Sequence, residues 1–535
     1  MPTPKFSRGA QLIPLSFANP AFQGLNTELG GNILPQQWAT ILENAVFDDT
    51  GRPASRKGWN TLTTTPGATN VKTLFEHWEA DETSTIIQAS DTDIYEDVST
   101  PSSIKGSLTI SDGNIKFVNF NDKCVAFGIG TGGIPAVRTT GNFADITVNS
   151  GTAPTSGVGT SAFGRLWCVD TDGKTMRYSA LLDETRWDSA DGGGSVDFSK
   201  VWPSGQDSVV AIEEFGADLI VFGKNNTVIM TDGSGSTLGI DPTALYVSDT
   251  IPGVGAISQF AITRAAGDLW VLTDFGIVGL KRELVQKSTP YNNISTNVQS
   301  GVTGALAAQG TAVDDIRMAF SPKHSMVVAH FPAVDTSYVF DTRFQMENGA
   351  YRCSTWLSSL QALTYVRAAD NFYGTLSGAT GEVFSYTGNS DNGTAFVFDY
   401  ESGWLDLGEE LNLLLKFVKR MTSFVFITQN VEVTHKVQYD FQNNEFSINK
   451  SAQGTPASEY NAFGAVVSGS TQAEYAADGD AESVEYGGGV TLVTLDAPLG
   501  GSGQYIKVGL RLSTEAGEFV LQQINLFAKV GRYAT

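Results

Sequence analysis

The sequence predicts an all-β protein: a β-propeller of six or seven irregular blades with an additional C-terminal antiparallel β-sandwich-like domain. Three observations predict it. Apolar residues make up 41% and charged residues 17% of the 535, with 57 glycines against 18 prolines, the composition of a folded, turn-rich chain rather than a disordered or collagen-like one. Short runs of β-branched and aromatic residues alternate with Gly, Asp, Asn and Ser clusters, while a sustained 3.6-residue period is nearly absent. Finally, one hairpin unit recurs along the chain.

The first strand of that unit reads Phe120-Asn-Asp-Lys-Cys-Val-Ala-Phe127, Phe163-Gly-Arg-Leu-Trp-Cys-Val169, Phe215-Gly-Ala-Asp-Leu-Ile-Val-Phe222 and Ala266-Gly-Asp-Leu-Trp-Val-Leu272. A second strand follows each across a short turn, as in Thr175-Met-Arg-Tyr-Ser179, Thr227-Val-Ile-Met230 and Gly276-Ile-Val-Gly-Leu280. Weaker copies begin near Glu82, Lys323 and Ala369, so that copies start near residues 82, 120, 163, 215, 266, 323 and 369, with spacings of 38 to 57. Irregular spacing of that order, with Gly and Asp turns, is the pattern of propeller blades, which bury their faces only by stacking on neighbours. A row of β-sandwiches with look-alike hairpins is the alternative; spacings of 52 and 51 between the three clearest copies favour the propeller. One helix is predicted near Pro35 to Asn44, where Trp38, Ile41 and Leu42 would share a face.

At 535 residues the chain exceeds what one core supports, and the texture divides it into an N-terminal arm over 1–69, a propeller over 70–399 and a sandwich-like platform over 400–535. In the last part Val431, Val433, Val437, Tyr439 and Phe441 fall on one face of a strand, as do Ile506, Val508, Leu510 and Leu512. Between Lys450 and Lys507 there is no Lys or Arg, while Glu459, Glu474, Asp478, Asp480, Glu482 and Glu485 accumulate. Residues 451–489 therefore read as a long acidic loop, facing a lumen or simply solvated.

The formal charge of −23 excludes the basic footprint of a nucleic-acid clamp; any DNA the chain meets would pass by rather than be gripped. Cys124, Cys168 and Cys353 form no C-x-x-C pair and read as small buried hydrophobes. No run approaches the ~20 apolar residues of a membrane helix, and Met1-Pro-Thr-Pro-Lys5 opens no signal sequence. No membrane span and assembly in the cytoplasm are expected.

No motif nominates a catalyst, a cofactor or a metal. Gly128-Ile-Gly-Thr-Gly-Gly133 matches G-x-G-x-x-G, yet Ile134-Pro135 and a strand-like Val137-Arg-Thr-Thr140 follow where a dinucleotide site needs a helix N-terminus. Asp274-Phe-Gly276 lacks the other kinase motifs and reads as a turn between blade strands. Asp170-Thr-Asp-Gly173 lacks the later ligands of a calcium loop and reads as a type I′-like hairpin turn. His77, His324, His330 and His435 are dispersed, with His324 and His330 expected at the ends of one strand. Adjacent carboxylates such as Glu213-Glu214 and Glu409-Glu410 would point to opposite faces of a strand. The chain is expected not to be an enzyme.

The first sixty residues resemble the N-terminal signature of the tail nozzle, or tail tubular protein B, family of short-tailed bacteriophages, related to phage head-to-tail stabilisation proteins. The likeness lies in Gly24-Leu-Asn-Thr27, Leu34-Pro35 followed by Leu42-Glu-Asn44, Phe47-Asp48, and the Gly51 to Arg56-Lys-Gly58 ending. It continues in Phe163-Gly-Arg-Leu-Trp167, Met176-Arg-Tyr-Ser179, Arg186-Trp-Asp188, Val196-Asp-Phe198 and Asp207-Ser-Val-Val-Ala211. Over the last ~135 residues only general texture agrees.

The resemblance implies a structural virion protein: a homohexameric ring below the portal and its head-to-tail adaptor ring, contacting tail fibres or spikes. Genomic double-stranded DNA would make transient contact with its lumen during ejection, and an acidic wall offers sliding phosphates no deep trap. Arg52, Arg56 and Lys57 would then face an acidic neighbouring subunit or a passing phosphate; a merely solvated turn is the other reading. Two rivals remain at this point. One is a glycan-binding or glycan-cleaving propeller of the tail, with Trp187 and Trp202 stacking sugars at a blade mouth; the other is a bacterial propeller scaffold unconnected with virions.

Overall fold

A computed structural model of the protein describes residues 12–63, 70–202, 206–234, 240–280, 292–377, 381–406, 414–442, 444–453, 491–514 and 517–533. The acidic loop expected over 451–489 falls, apart from its first three residues, outside the described residues. Seven sets of four antiparallel strands follow one another around a ring. Blades 1 to 6 span 71–103, 117–145, 159–197, 209–252, 262–293 and 317–357. Blade 7 takes three strands from 360–386 and its outermost strand, Trp59–Thr61, from the N-terminal side, so that the ring is closed by the chain's beginning.

The recurring text in the sequence is the two middle strands of each blade. Lys123–Ala126, Arg165–Val169, Asp218–Gly223 and Asp268–Thr273 are second strands; Thr175–Tyr178, Asn226–Thr231 and Gly276–Gly279 are third strands. Middle strands bury both faces, because each blade is covered by a neighbour on either side, and this explains their unbroken apolar runs. In blade 4, Leu219 and Val221 pack against Trp167 and Val169 of blade 3, while Ile220 and Phe222 pack against Leu269 and Val271 of blade 5. An apolar cluster fills each of the seven junctions between blades, the one between blades 5 and 6 being continuous with the core formed by the C-terminal strands. Cys124, Cys168 and Cys353 are unpaired and buried in these layers.

Tight turns set the register. Asn121 with Asp122, Phe163 with Gly164 and Ala266 with Gly267 all have positive φ, the two-residue type I′ geometry whose twist matches antiparallel strands. Asp170–Gly173 differs from the type I′ expectation: only Gly173 is left-handed, at φ +67. Its amide donates to Asp170 O at 2.9 Å, closing a type I turn that Asp172 caps by accepting from the amides of Lys174 and Thr175. Gly128–Gly133 leads through a short 3-10 turn at Thr131–Gly133 into the strand Ala136–Arg138.

The ring's axis is bridged from side to side. Lys116 of blade 2 reaches Glu213 of blade 4 at 3.0 Å. Asn114, entering blade 2, donates to Asp315, entering blade 6, at 2.6 Å, and Gln259 donates to Gly157 O at 2.9 Å. Arg317, buried at the same end of the ring, donates to Lys72 O at 2.8 Å and lies 4.5 Å from the Phe260 ring. Burial, acting against nearby Asp315 and Asp314, lowers its pKa to about 10.

Both ends of the chain build the second module. The segment 1–69, read from sequence as an arm, divides in its described residues between the two bodies: Ile13–Ala18, Gly24–Leu25, Trp38–Glu43, Ala45–Phe47 and Pro53–Ser55 join the C-terminal strands, whereas Trp59–Thr61 joins blade 7. One sheet has seven strands, with Leu414–Ile427 and Phe519–Tyr533 at its centre. The other has ten, because blade 6 continues through Trp38–Glu43 into Phe396–Ser402, Ile506–Thr514, Val431–Tyr439 and Phe446–Ala452. Val433, Val437, Leu510 and Leu512 of this sheet pack against Val418, Val425, Leu521 and Leu526 of the other.

Two sequence readings are corrected. Pro35 to Asn44 is not a helix: Trp38–Glu43 is a strand laid between blade 6 and Phe396–Ser402, and its buried residues, Trp38, Ala39 and Leu42, happen to keep the spacing of a helix face. The α-helix among the described residues is Gln299–Gln309, whose buried positions, Val302, Ala305 and Gln309, make too narrow a stripe to stand out. Phe441 does not continue its strand either; Asp440 and Phe441 are left-handed and turn the ring outward after Tyr439.

Candidate functional site

Arg52, Arg56 and Lys57 lie at the seam between the propeller and the sandwich, where the chain crosses from one to the other. The segment is held by what its residues can bury. Arg56 is buried rather than exposed to a neighbour or a phosphate, and this corrects the sequence expectation. Its Nε donates to Asn44 Oδ1 at 2.9 Å, and Nη1 and Nη2 donate to the two carboxylate oxygens of Asp391 at 2.8 and 2.6 Å. The planar guanidinium lies 3.9 Å from the Phe396 ring centroid, combining the bidentate and stacking roles that only arginine fills.

Gly58 completes the crossing. It has no positive φ, yet a Cβ there would sit 2.0 Å from Ser390 O, so only glycine lets the strand pass. Its amide donates to Gly388 O at 2.9 Å. Trp59 then enters blade 7 beside Tyr386, which also stacks on Trp356 at 5.1 Å and 14°. The Arg56-Lys-Gly58 string is therefore the latch that closes the ring.

Arg52 is half-buried and engaged within the chain: it pairs with Asp48 at 2.6 Å, donates to Gln522 Oε1 at 2.6 Å and stacks 4.8 Å from Phe426. Partial burial works to raise the Asp48 carboxyl, but hydrogen bonds from Arg52 and Thr50 prevail and hold it below its ordinary range. Lys57 alone of the three is exposed, with no carboxylate within 4.0 Å among the described residues. Its ammonium lines a cleft of about 240 Å³ on the seam.

Blade 6 supplies the cleft's other wall. Met326, Val339 and Phe519 form an apolar floor, and Lys323, His324 and Arg343 stand at the rim. Arg343 is neutralised by Asp341 at 2.9 Å and Asp49 at 2.7 Å, and Lys323 approaches Asp370 at 3.7 Å. Burial, and then the charges of Lys57 and Lys323, hold His324 below the usual imidazole range against a hydrogen bond with Asn371. The sequence marks Lys323 as the start of a weak repeat copy and His324 as the end of a strand, but it does not mark Arg343, and nothing local makes any of the three a neighbour of Lys57.

The remaining candidates are packed into the structure. His330 lies within the strand Met326–Phe331, buried, bonded to Ser337 Oγ at 2.9 Å and to Leu360 O. His435 is buried in the sandwich against Ser423 Oγ at 2.8 Å. Trp187 and Trp202 are 2% and 4% exposed, and the indole of Trp187 donates to Glu184 O at 2.9 Å; neither presents a ring to a sugar.

Neither a known sequence family nor a curated protein matches the chain. Among solved structures it is similar to PorZ, a surface component of the type-IX secretion system of Porphyromonas gingivalis, at 10% identity and a TM-score of 0.35, over 65% of this chain and 43% of that one. It is also similar to the β-propeller domain of Cps50 (Swd1) from Myceliophteria thermophila, at 9% identity and a TM-score of 0.35, over 62% of this chain and 100% of that one. The chain thus matches less than half the length of PorZ. Likeness at this level says nothing of function, and the propeller rests on the strand pairing itself.

Proposed function

We propose that this chain is a tail nozzle subunit of a short-tailed bacteriophage, a structural, non-catalytic virion protein that assembles with its copies into a ring below the adaptor. The observation that carries the reading is the ten-stranded sheet: Trp38–Glu43 ties blade 6, through the bridge of Glu43 with Thr355, to the strands of the sandwich, so propeller and platform share one sheet rather than hang on a linker. A conduit under ejection load needs that stiffness. The N-terminal signature adds to it, since its Arg56-Lys-Gly58 is the latch between the two bodies.

In this reading the DNA passes between subunits rather than through a propeller, whose axis is bridged by Lys116 with Glu213 and Asn114 with Asp315. Lys57, at the mouth of the seam cleft, is the member of the basic trio left to meet an adaptor or fibre protein. Electron microscopy with mass determination, on the purified protein alone and mixed with the adaptor ring, tests the proposal. Six-fold rings with a central channel, or monomers that assemble on the adaptor, are expected. Monomers indifferent to the adaptor would overturn it and favour a propeller scaffold of another kind.

A further inference from the structure

The sandwich has two outer faces, and they handle charge in opposite ways. On the ten-stranded sheet, Lys436 lies 2.9 Å from Asp399 and 3.2 Å from Glu401, and Lys507 lies 2.5 Å from Glu401. Arg511 approaches Asp399 at 3.8 Å. Cations and anions are matched there, and that face is saturated.

The seven-stranded sheet is different. Its central strands, Leu414–Ile427 and Phe519–Tyr533, carry Lys416, Lys419, Arg420, Lys529 and Arg532 and no Asp or Glu, in a chain with 57 acidic against 34 basic residues. Register places Phe417 opposite Lys529, Arg420 opposite Phe527 and Phe426 opposite Val520, while the alternate pairs Val418 with Ala528 and Met421 with Leu526 are buried in the core. Phe417, Arg420, Phe426, Phe527 and Lys529 thus share the outward face, and Leu492 joins them beside Phe426. Arg420 lies 4.2 Å from the Phe527 ring and approaches Asp496 at 3.7 Å. Lys419 and Lys529 have no carboxylate within 4.0 Å among the described residues. Phe417 is 37% and Leu492 52% exposed.

We propose that this outward face docks a second copy of the chain. The inference rests on the ring-forming reading above and names the surface that would build the ring. Charge selects the occupant: a second copy brings a net −23, and this sheet carries Lys419 and Lys529, which have no carboxylate partner among the described residues. Aromatic rings and arginine in an apolar setting are the composition of a protein interface, and Phe417 and Leu492 gain from apolar cover that duplex phosphates do not provide. The face cannot pair with itself, because its cations would oppose each other. The contact is therefore heterologous, basic face to acidic surface, and such contacts propagate into rings when the rotation closes.

Lys419→Glu combined with Lys529→Glu, and separately Phe417→Ser, test it in the full-length protein, with thermal melts to show that the fold is kept. Sedimentation velocity across a concentration series, at low and high salt, should show self-association in the parent protein, weakened at least tenfold in the charge-reversed variant and by salt. Unchanged association in both variants would overturn this surface while leaving the nozzle reading to the adaptor experiment. A parent protein monomeric at every concentration would overturn docking to a second copy, again separately from adaptor binding. Loss of binding to a short duplex DNA in the charge-reversed variant, with association unchanged, would overturn it in favour of nucleic acid.

Discussion

The propeller and the sandwich are built by opposite strategies from one chain. In blades 1 to 6 every strand pairs with its neighbour in sequence, and the first two strands of each are joined by turns of two to five residues. In the sandwich the partners are far apart: Ile13–Ala18 pairs with Phe519–Tyr533, and Trp38–Glu43 pairs with Phe396–Ser402. Local pairing writes a repeating text into the sequence; distant pairing leaves no text. The difference also has an energetic side, because closing so long a loop must be offset by what the strands bury once they meet. Blade 7 mixes the two strategies, and the latch at Arg56 to Trp59 is where the long-range closure is concentrated.

The largest expected effect comes from breaking that latch. Arg56→Ala leaves the buried Asn44 and the half-buried Asp391 without their partner and removes a buried side chain, and should cost about 2–4 kcal/mol, read as a lowered denaturation midpoint. Gly58→Ala forces a methyl group onto Ser390 O and should cost at least as much. If the two modules are one cooperative body, both substitutions will lower a single transition; two separate transitions would show that propeller and sandwich are independent.

Acid sharpens the comparison, since each region holds a histidine whose burial disfavours the protonated form. Burial lowers His330 of blade 6 and His435 of the sandwich to about 4, from the ordinary 6.5. Because the folded values are depressed, the unfolded chain binds protons first, and stability present above pH 6.5 is lost as pH falls from 6.5 towards 4. At pH 5 each should cost about 2 kcal/mol. Urea titrations at pH 7 and pH 5 on His330→Asn and His435→Asn would show the pH dependence reduced in each; a slope that neither substitution alters would refute the assignment.

The smallest effect is expected at Lys57. Its ammonium is exposed and without a carboxylate partner, so Lys57→Ala should change stability by less than about 0.5 kcal/mol. The same substitution should weaken binding to the adaptor or fibre proteins if the seam cleft is a contact. A loss of stability comparable with Arg56→Ala would mean that Lys57 belongs to the latch after all.

Strand type and repeat were legible, and the blade count to within one, because a middle strand buried on both faces must be apolar at every position, and a two-residue turn with positive φ favours Gly, Asn or Asp at one or both places. Leu219 to Phe222 in blade 4 show the first constraint, and the Asn121-Asp122 turn of blade 2 shows the second. The residues at the seam were legible only in part. Arg56 and Gly58 stood out as text, but an arginine reads as exposed until its partners are known, and Asp391 lies more than three hundred residues away. Lys323, His324 and Arg343 reach Lys57's cleft only through the docking of blade 6 against the sandwich.

Composition and short-range pattern thus dictated an all-β chain, its stacked hairpins and its buried thiols, since those follow from what each stretch must bury or turn within its own neighbourhood. The fusion of both termini into one sandwich, the latch and the basic aromatic face were settled by folding alone. Each depends on strands that meet across hundreds of residues, where pairing energy decides and sequence proximity carries no information.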